Sequence, residues 1–419
     1  MCGVLINQHG SEYNWHREQF YVGIYKRLQI YTIATHNGAS LKIAIASIGR
    51  FHVADLAREL SHLGHQVVFY SDVPNSRLQT FGLTKTKNIT IWIVTLLSLL
   101  QKIFPKFLIG HTQLIDRLRI SIFDRLLSFY IEPCDVFIGM SGIILKSGKT
   151  AKKRFNAKIY VERGSRHILS QQEILSTNPS SSTVIDQWMI ERELSGYDIA
   201  DKIVVPSTHV LESFIERGTP RNRLFVNTYG VDLAMFPWTP VSSQSSLTAI
   251  FVGAWSWRKG CDLLQQIFPN LKSLRLLHVG SMADADNSLV NGITHVGSVH
   301  PTKLSTYYRD CHMLILPSRE EGLSLVQIQA LASGLPVLCT DKTGGEDLQR
   351  LLSNPERIKI VPAGDLNALQ TAIESYLPLA LQLRNQKFPD SDRARLGWGE
   401  YGARYDKELR QECSEGVSV

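Results

Sequence analysis

Glu321 and Gln329 bracket seven residues in the stretch SREEGLSLVQIQALASGLPV (318–337), which reads as a strand end, a turn and an amphipathic helix stopped at Gly334. A helix beginning near Leu323 directs its free amides and the positive end of its dipole toward Gly322, where the missing side chain lets a ligand approach the backbone. That suits a phosphate. Glu321 suits something else, because a carboxylate repels phosphate but accepts hydrogen bonds from neutral hydroxyls. Together they point to a ligand that is part phosphate and part polyol. Gln329, about two turns further on, can donate to or accept from hydroxyls on another part of it. The simpler alternative is that Glu321 only complements the helix dipole and Gln329 is a solvated position.

Such a turn needs a strand before it and neighbours beside it. LKIAIAS (41–47), QVVFY (66–70), CDVFIGM (134–140), AKIYVE (157–162) and KIVVPS (202–207) are short apolar runs separated by helical stretches. A Pro/Ser-rich break, FPWTPVSSQSS (236–246), precedes a second series: TAIFVG, LRLLHVG, ITHVG, MLILP, PVLCT and IKIVP. Continuous apolar strands between helices imply parallel sheets covered on both faces. Two such series imply two doubly wound domains facing each other across a cleft, with ligands beyond the carboxyl ends of the strands.

Composition agrees with this class. The chain has 419 residues, 44% hydrophobic and 20% charged, enough for two domains with their own cores. A formal charge of +7 is mild for the length, so no nucleic-acid partner is expected; anionic substrates or lipid headgroups fit equally. The six cysteines (2, 134, 261, 311, 339, 413) lack zinc or redox spacing and read as reduced thiols of a cytoplasmic protein. Residues 1–40 carry no sustained apolar core, so no secretory leader is expected. The opening Met1-Cys2-Gly3 resembles a nucleophilic N-terminal cysteine only superficially.

Longer segments carry a resemblance. ADKIVVPSTHVLESFIERGTPRNRLFVNTYGVDLAMF (200–236), AIFVGAWSWRKGCDLL (249–264), LRLLHVGS and EEGLSLVQIQALASGLPVLCTDKTGG (320–345) resemble the family-4 retaining glycosyltransferases of the GT-B fold, also called group 1 glycosyltransferases. The resemblance covers roughly 41–412 and ends in LGWGEYGARYDKEL (396–409), similar to the family's terminal helix that crosses back onto the N-terminal domain. It implies an extension at 1–40, an acceptor-side domain at 41–236, a linker at 237–246, a nucleotide-sugar domain at 247–392 and a crossover helix at 393–412.

Residue by residue, the resemblance gives Glu321 the donor sugar's hydroxyls and Gln329 the nucleotide ribose, where the family usually has a second glutamate. Lys259 matches a lysine facing the diphosphate. The arginine usual after the strand glycine is Ala254 here, and Arg258 could substitute. Gly322, Leu323 and Ser324 complete the donor site, with Gly49 facing the cleft from the first N-terminal loop. YVERGSRHI (160–168) falls where the family has a histidine at the reaction centre. His167 comes a few residues late and reads either as that histidine or only as a helix-start residue, and Glu162 and Arg163 occupy the strand end, either as cleft wall or as an ion pair. The implied activity is retaining, metal-independent hexosyl transfer from a nucleotide-diphosphate sugar to a saccharide or lipid-linked saccharide, with no cofactor. Alternatives are a non-catalytic sugar-nucleotide binder or a nucleotide-sugar epimerase.

Asp284 and Asp286 have the spacing of a metal motif of the other large glycosyltransferase fold, but acidic pairs in polar loops are usually solvated. ITIWIVTLLSLLQKIF (89–104) is too short to span a bilayer and is flanked by Lys85, Lys87, Lys102 and Lys106. It reads as a buried helix or as an interfacial one making peripheral membrane contact.

Overall fold

In the computed structural model, residues 40–103, 112–178, 185–241, 247–283 and 290–415 are described. Cys2, Lys106, the Asp284/Asp286 pair, nearly all of the 1–40 extension and half of the expected linker (242–246) lie outside them.

The N-terminal elements run β1 (Lys42–Ser47), α1 (His52–His62), β2 (Gln66–Ser71), α2 (Asn75–Thr80), β3 (Lys87–Thr90), α3 (Trp92–Ile103), α4 (Thr112–Tyr130) and β4 (Val136–Met140). They continue with α5 (Leu145–Phe155), β5 (Lys158–Glu162), α6 (Ile168–Ser176), α7 (Gln187–Ile199), β6 (Lys202–Val205), α8 (Thr208–Ile215) and β7 (Leu224–Val226). The second series is β8 (Thr248–Val252), α9 (Cys261–Ile267), β9 (Arg275–Val279), β10 (Ile293–His295), α10 (Pro301–Arg309), β11 (Met313–Leu316) and α11 (Leu325–Ala332). It ends with β12 (Val337–Thr340), α12 (Gly345–Leu351), β13 (Ile358–Val361), α13 (Leu366–Asn385), α14 (Asp390–Arg395) and α15 (Trp398–Glu415).

The sheets are ordered β3-β2-β1-β4-β5-β6-β7 and β10-β9-β8-β11-β12-β13, with parallel pairing throughout. Each therefore starts in the middle, winds outward, and reverses beside its first strand. Apolar residues on both strand faces make this stable: Ile43 and Ile45 of β1 pack with α1, while Ala44 and Ala46 join Phe123 and Leu127 of α4.

Helix α15 returns to the first domain. The His65 imidazole lies 2.6 Å from Asp406, Lys202 reaches Glu412 at 2.7 Å, and Gly402 lies flat against Glu59. Two strands escaped the sequence reading. β3 (KNIT) and β7 (LFV) are sheet edges of four and three residues, too short to show periodicity. The 89–104 run is also not one buried helix. It splits between β3 and α3, and much of α3 is exposed. Among the described residues no helix is long and apolar enough to cross a membrane.

Candidate functional site

Doubly wound sheets place ligands where the strand order reverses. In the C-terminal sheet that point lies between β8 and β11, and the turns after these two strands form the site. They are locked together. Gly260 has φ +74°, and a β-carbon there would lie 2.1 Å from the Pro317 carbonyl oxygen, so only glycine fits. Arg319 clamps the same turns: its amide donates to the Arg258 carbonyl (2.8 Å), its guanidinium forks onto Asp262 (2.6 and 2.8 Å) and lies 4.4 Å above the Trp257 ring.

On this platform Lys259 pairs with the Glu321 carboxylate. Arg258 Nη1 lies 3.1 Å from the same Glu321 oxygen and 3.3 Å from Glu320 Oε2. Two cations thus face two carboxylates in a largely buried cluster, with the Lys259 and Glu321 side chains 11% and 12% exposed. The arrangement can exchange. A diphosphate can take Glu321's place against Lys259 and Arg258, and the released carboxylate then accepts from hydroxyls. Helix α11 opens at Leu325 with no bond from the Ser324 hydroxyl to its first turn; the Gln327 amide closes onto the Ser324 carbonyl (3.1 Å), and the positive end of the helix dipole faces the cluster.

Glu320 has a different role. It is fully buried and accepts from Ser165 (2.9 Å) and Gln171 (3.2 Å) of the opposite domain. Burial raises its pKa, but Arg258 and the Ser165 and Gln171 hydrogen bonds outweigh this and hold the carboxyl below its ordinary range. Around it the two domains meet closely. The Ser207 hydroxyl donates to the Gly322 carbonyl (2.7 Å), His209 Nε2 donates to the Glu321 carbonyl (2.7 Å), and Thr208 donates twice to Asp347 (2.9 and 2.6 Å). Gly322 sits directly on Gly164, whose carbonyl oxygen would lie 1.9 Å from a β-carbon at 322. The close backbone approach expected of Gly322 is therefore, in this structure, made to the facing domain. Leu323 is buried beneath Gly344, part of the same contact.

Gln329 is half-buried, and its Oε1 accepts from the Tyr308 hydroxyl on α10 (3.3 Å). This oxygen already has a protein partner, while the side-chain NH2 remains a donor for a hydroxyl.

The N-terminal candidates are not gathered in this way. The Gly49 amide donates to Asp72 (2.6 Å) within its own domain. Glu162 and Arg163 do not pair with each other. Glu162 lies 3.0 Å from His52 Nε2 and accepts weakly from Tyr401 on α15 (3.5 Å). Arg163 pairs with Glu193 (2.9 Å) and donates to Gln171 (2.7 Å), linking to Glu320 through that amide. The His167 imidazole packs tilted against Tyr197 and edge-on against Phe214, and accepts from the Leu169 amide (3.3 Å) at the start of α6. Burial, then the charges of Arg217 and Arg163, push its pKa down to about 4. It is not part of the Lys259–Glu321 cluster.

Sequence reasoning missed Arg319, Glu320 and the facing residues Ser165, Gln171 and Ser207–His209. Only the doubled glutamate at 320 and 321 hinted at Glu320. Among the described residues no three His, Cys, Asp or Glu side chains cluster in a way that could hold a metal ion.

Residues 246–378 match the family model described as "Glycosyl transferases group 1". The chain is 28% identical over 176 residues to the sulfoquinovosyl transferase SQD2 of Arabidopsis thaliana, covering 38% of this chain and 34% of that protein. It is 28% identical over 163 residues to a GDP-mannose-dependent alpha-mannosyltransferase of Mycobacterium tuberculosis, covering 36% and 42%. It thus spans well under two thirds of either relative. Among solved structures, sucrose-phosphate synthase from Thermosynechococcus elongatus superposes with a TM-score of 0.62 at 20% identity, covering 89% of this chain and all but 1% of that one (99% covered). Anabaena Alr3699/HepE in complex with UDP gives 0.60 at 12% identity, covering 88% and 100%. The chain has the GT-B fold of glycosyltransferases, and its C-terminal segment 246–378 matches the group 1 family.

Proposed function

We propose that the protein is a retaining, metal-independent glycosyltransferase. It moves a hexosyl unit from a nucleotide-diphosphate sugar to a hydroxyl of a saccharide or lipid-linked saccharide, in cell-surface polysaccharide or glycolipid synthesis on the cytoplasmic side. The observation that carries this reading is the convergence of Lys259, Arg258, Glu321 and the opening turn of α11 at one strand-order reversal. The two cations and the helix amides supply positive charge to a leaving diphosphate, and no metal is needed for that task. The bond from the anomeric carbon to the phosphate oxygen breaks as the acceptor oxygen bonds on the same face. The acceptor's proton passes to the departing phosphate oxygen. Glu321 holds the donor sugar's hydroxyls and Gln329 donates to the ribose. The interdomain contacts around Glu320 exclude water from an electrophile prone to hydrolysis.

The test is incubation with a panel of sugar nucleotides and hydroxyl acceptors, with the anomeric configuration of product read by NMR. Donor-dependent product with the donor's configuration supports the reading. Inverted product overturns retention. Binding without turnover, or donor conversion without acceptor, replaces transfer with a sugar-nucleotide binder or an epimerase.

A further inference from the structure

We propose that the outer face of α3, α4 and α5 is a docking surface for an anionic lipid bilayer. The proposal does not depend on the transfer chemistry. Trp92, Ile93, Leu96 and Leu99 project from α3, with Trp92 64% and Leu96 56% exposed. At about 100° per residue they fall within an arc of roughly 120°, opposite Val94, which enters the core. The neighbouring α4 carries Leu114, Leu118 and Phe129 on one exposed stripe, with Phe129 66% exposed. These side chains form two adjacent apolar ridges on helices that pack against each other.

Charge identifies the occupant. Helix α5, packed against α4, bears Lys146, Lys149, Lys152, Lys153 and Arg154, all exposed, and no acidic residue. The Lys146 ammonium lies 5.8 Å from the Phe129 ring centroid, joining the basic ridge to the apolar one. Acids on α4 do not offset it: Asp124 is buried and pairs with Arg192, and Asp116 is 3.1 Å from Arg119. Lys152 is held 2.8 Å from Asp201, and the apolar ridges beside the exposed Lys146, Lys149 and Lys153 match a headgroup layer over acyl chains. A second copy of this chain would bring the same positive charge.

The surface also adjoins the first N-terminal turn through Asp72. Its carboxylate accepts from Ser98 of α3 (3.0 Å), lies 3.5 Å from Arg119 of α4, and accepts from the Gly49 amide (2.6 Å). One side chain therefore connects the docking helices to the loop at the mouth of the first sheet.

The experiment is sedimentation of the full chain with phosphatidylcholine vesicles, with and without phosphatidylglycerol, together with sedimentation velocity in their absence. We expect partitioning onto the anionic vesicles at least about tenfold above the neutral ones and falling with salt. The Trp92→Ser/Leu96→Ser variant should abolish it, and Lys146→Glu/Lys149→Glu/Lys153→Glu should abolish the preference for anionic lipid. Both variants change exposed positions and should keep the wild-type melting temperature. No binding, equal binding to neutral vesicles, insensitivity to both variants, or a vesicle-free dimer that Leu96→Ser dissolves would each overturn the proposal.

Discussion

The two sheets share one winding order, yet their reversal points are furnished oppositely. Beside β8 and β11, Lys259, Arg258, Glu320 and Glu321 converge in one ion-pair cluster. Beside β1 and β4 the turns are tied into their own domain: Gly49 is held by Asp72, the Ser141 hydroxyl donates to Glu193 (2.7 Å), and at the end of the neighbouring β5 Glu162 is held by His52 with Tyr229 and Tyr401 alongside. The same architecture thus yields one turn pair that gathers two cations against two carboxylates and another that is tied into its own domain. A reversal point marks where a site can be, and the side chains decide whether it is one.

The largest effect should come from the C-terminal cluster. Glu321→Ala is expected to lower turnover at least about 100-fold, a loss near ~3 kcal/mol of transition-state stabilisation, measured as initial rates on folded protein. Near-normal rates would dissolve the contrast between the two turns. Lys259→Ala should weaken a nucleoside diphosphate far more than the bare nucleoside; calorimetry showing equal losses would make the lysine a fold support only.

Gly322→Ala tests the contact between the domains. A methyl group placed 1.9 Å from the Gly164 carbonyl must force the seam apart. We expect a drop in turnover of about 10-fold or more with secondary structure intact, and faster hydrogen exchange of the amides near Ser207 and Gly322. Unchanged exchange would mean that the seam does not depend on this contact.

His167 belongs to the internally satisfied side, and its effect should appear in stability. Its folded pKa lies near 4 and its ordinary value is 6.5, so the unfolded chain takes up the proton first as pH falls. The His167 contribution is complete above about pH 6.5 and is lost progressively toward pH 4, by on the order of 2–3 kcal/mol. His167→Asn keeps a capping acceptor and should flatten that part of the denaturation profile. An unchanged profile would show that the imidazole does not titrate in this window.

The smallest change concerns Gln329. Gln329→Leu should raise the donor KM several-fold, ~1 kcal/mol, while turnover changes less. Gln329→Glu exchanges the amide donor for a carboxylate oxygen that accepts from the ribose hydroxyls while the other oxygen keeps the Tyr308 hydroxyl, so donor affinity should be kept or improved. If leucine leaves donor affinity untouched, the amide does not meet the ribose.

How much of this could be read from sequence follows from the range of each interaction. Strands such as KIAIAS and MLIL were legible because burial on both faces demands unbroken apolar runs. Glu321 drew notice from its turn and Lys259 only from the family resemblance, while their pairing across two strand–turn–helix units is what the structure adds. Glu320 was not, since its partners Ser165 and Gln171 lie 155 and 149 residues away and no local pattern announces them. Nor could the sequence say that α3 exposes half of an apolar run, because composition does not reveal what covers a helix.

Helix α15 has a consequence for biosynthesis. It closes one face of the first domain: Tyr401 and Tyr405 pack with Tyr160 and Tyr229, and Asp406 meets His65. During vectorial synthesis the strands from β1 to β7 leave the ribosome long before residue 398, so that face waits uncovered while the whole second domain is made. The domain translated first is thereby the one completed last, and a nascent chain halted just short of α15 would present a finished second domain beside an open, chaperone-accessible first.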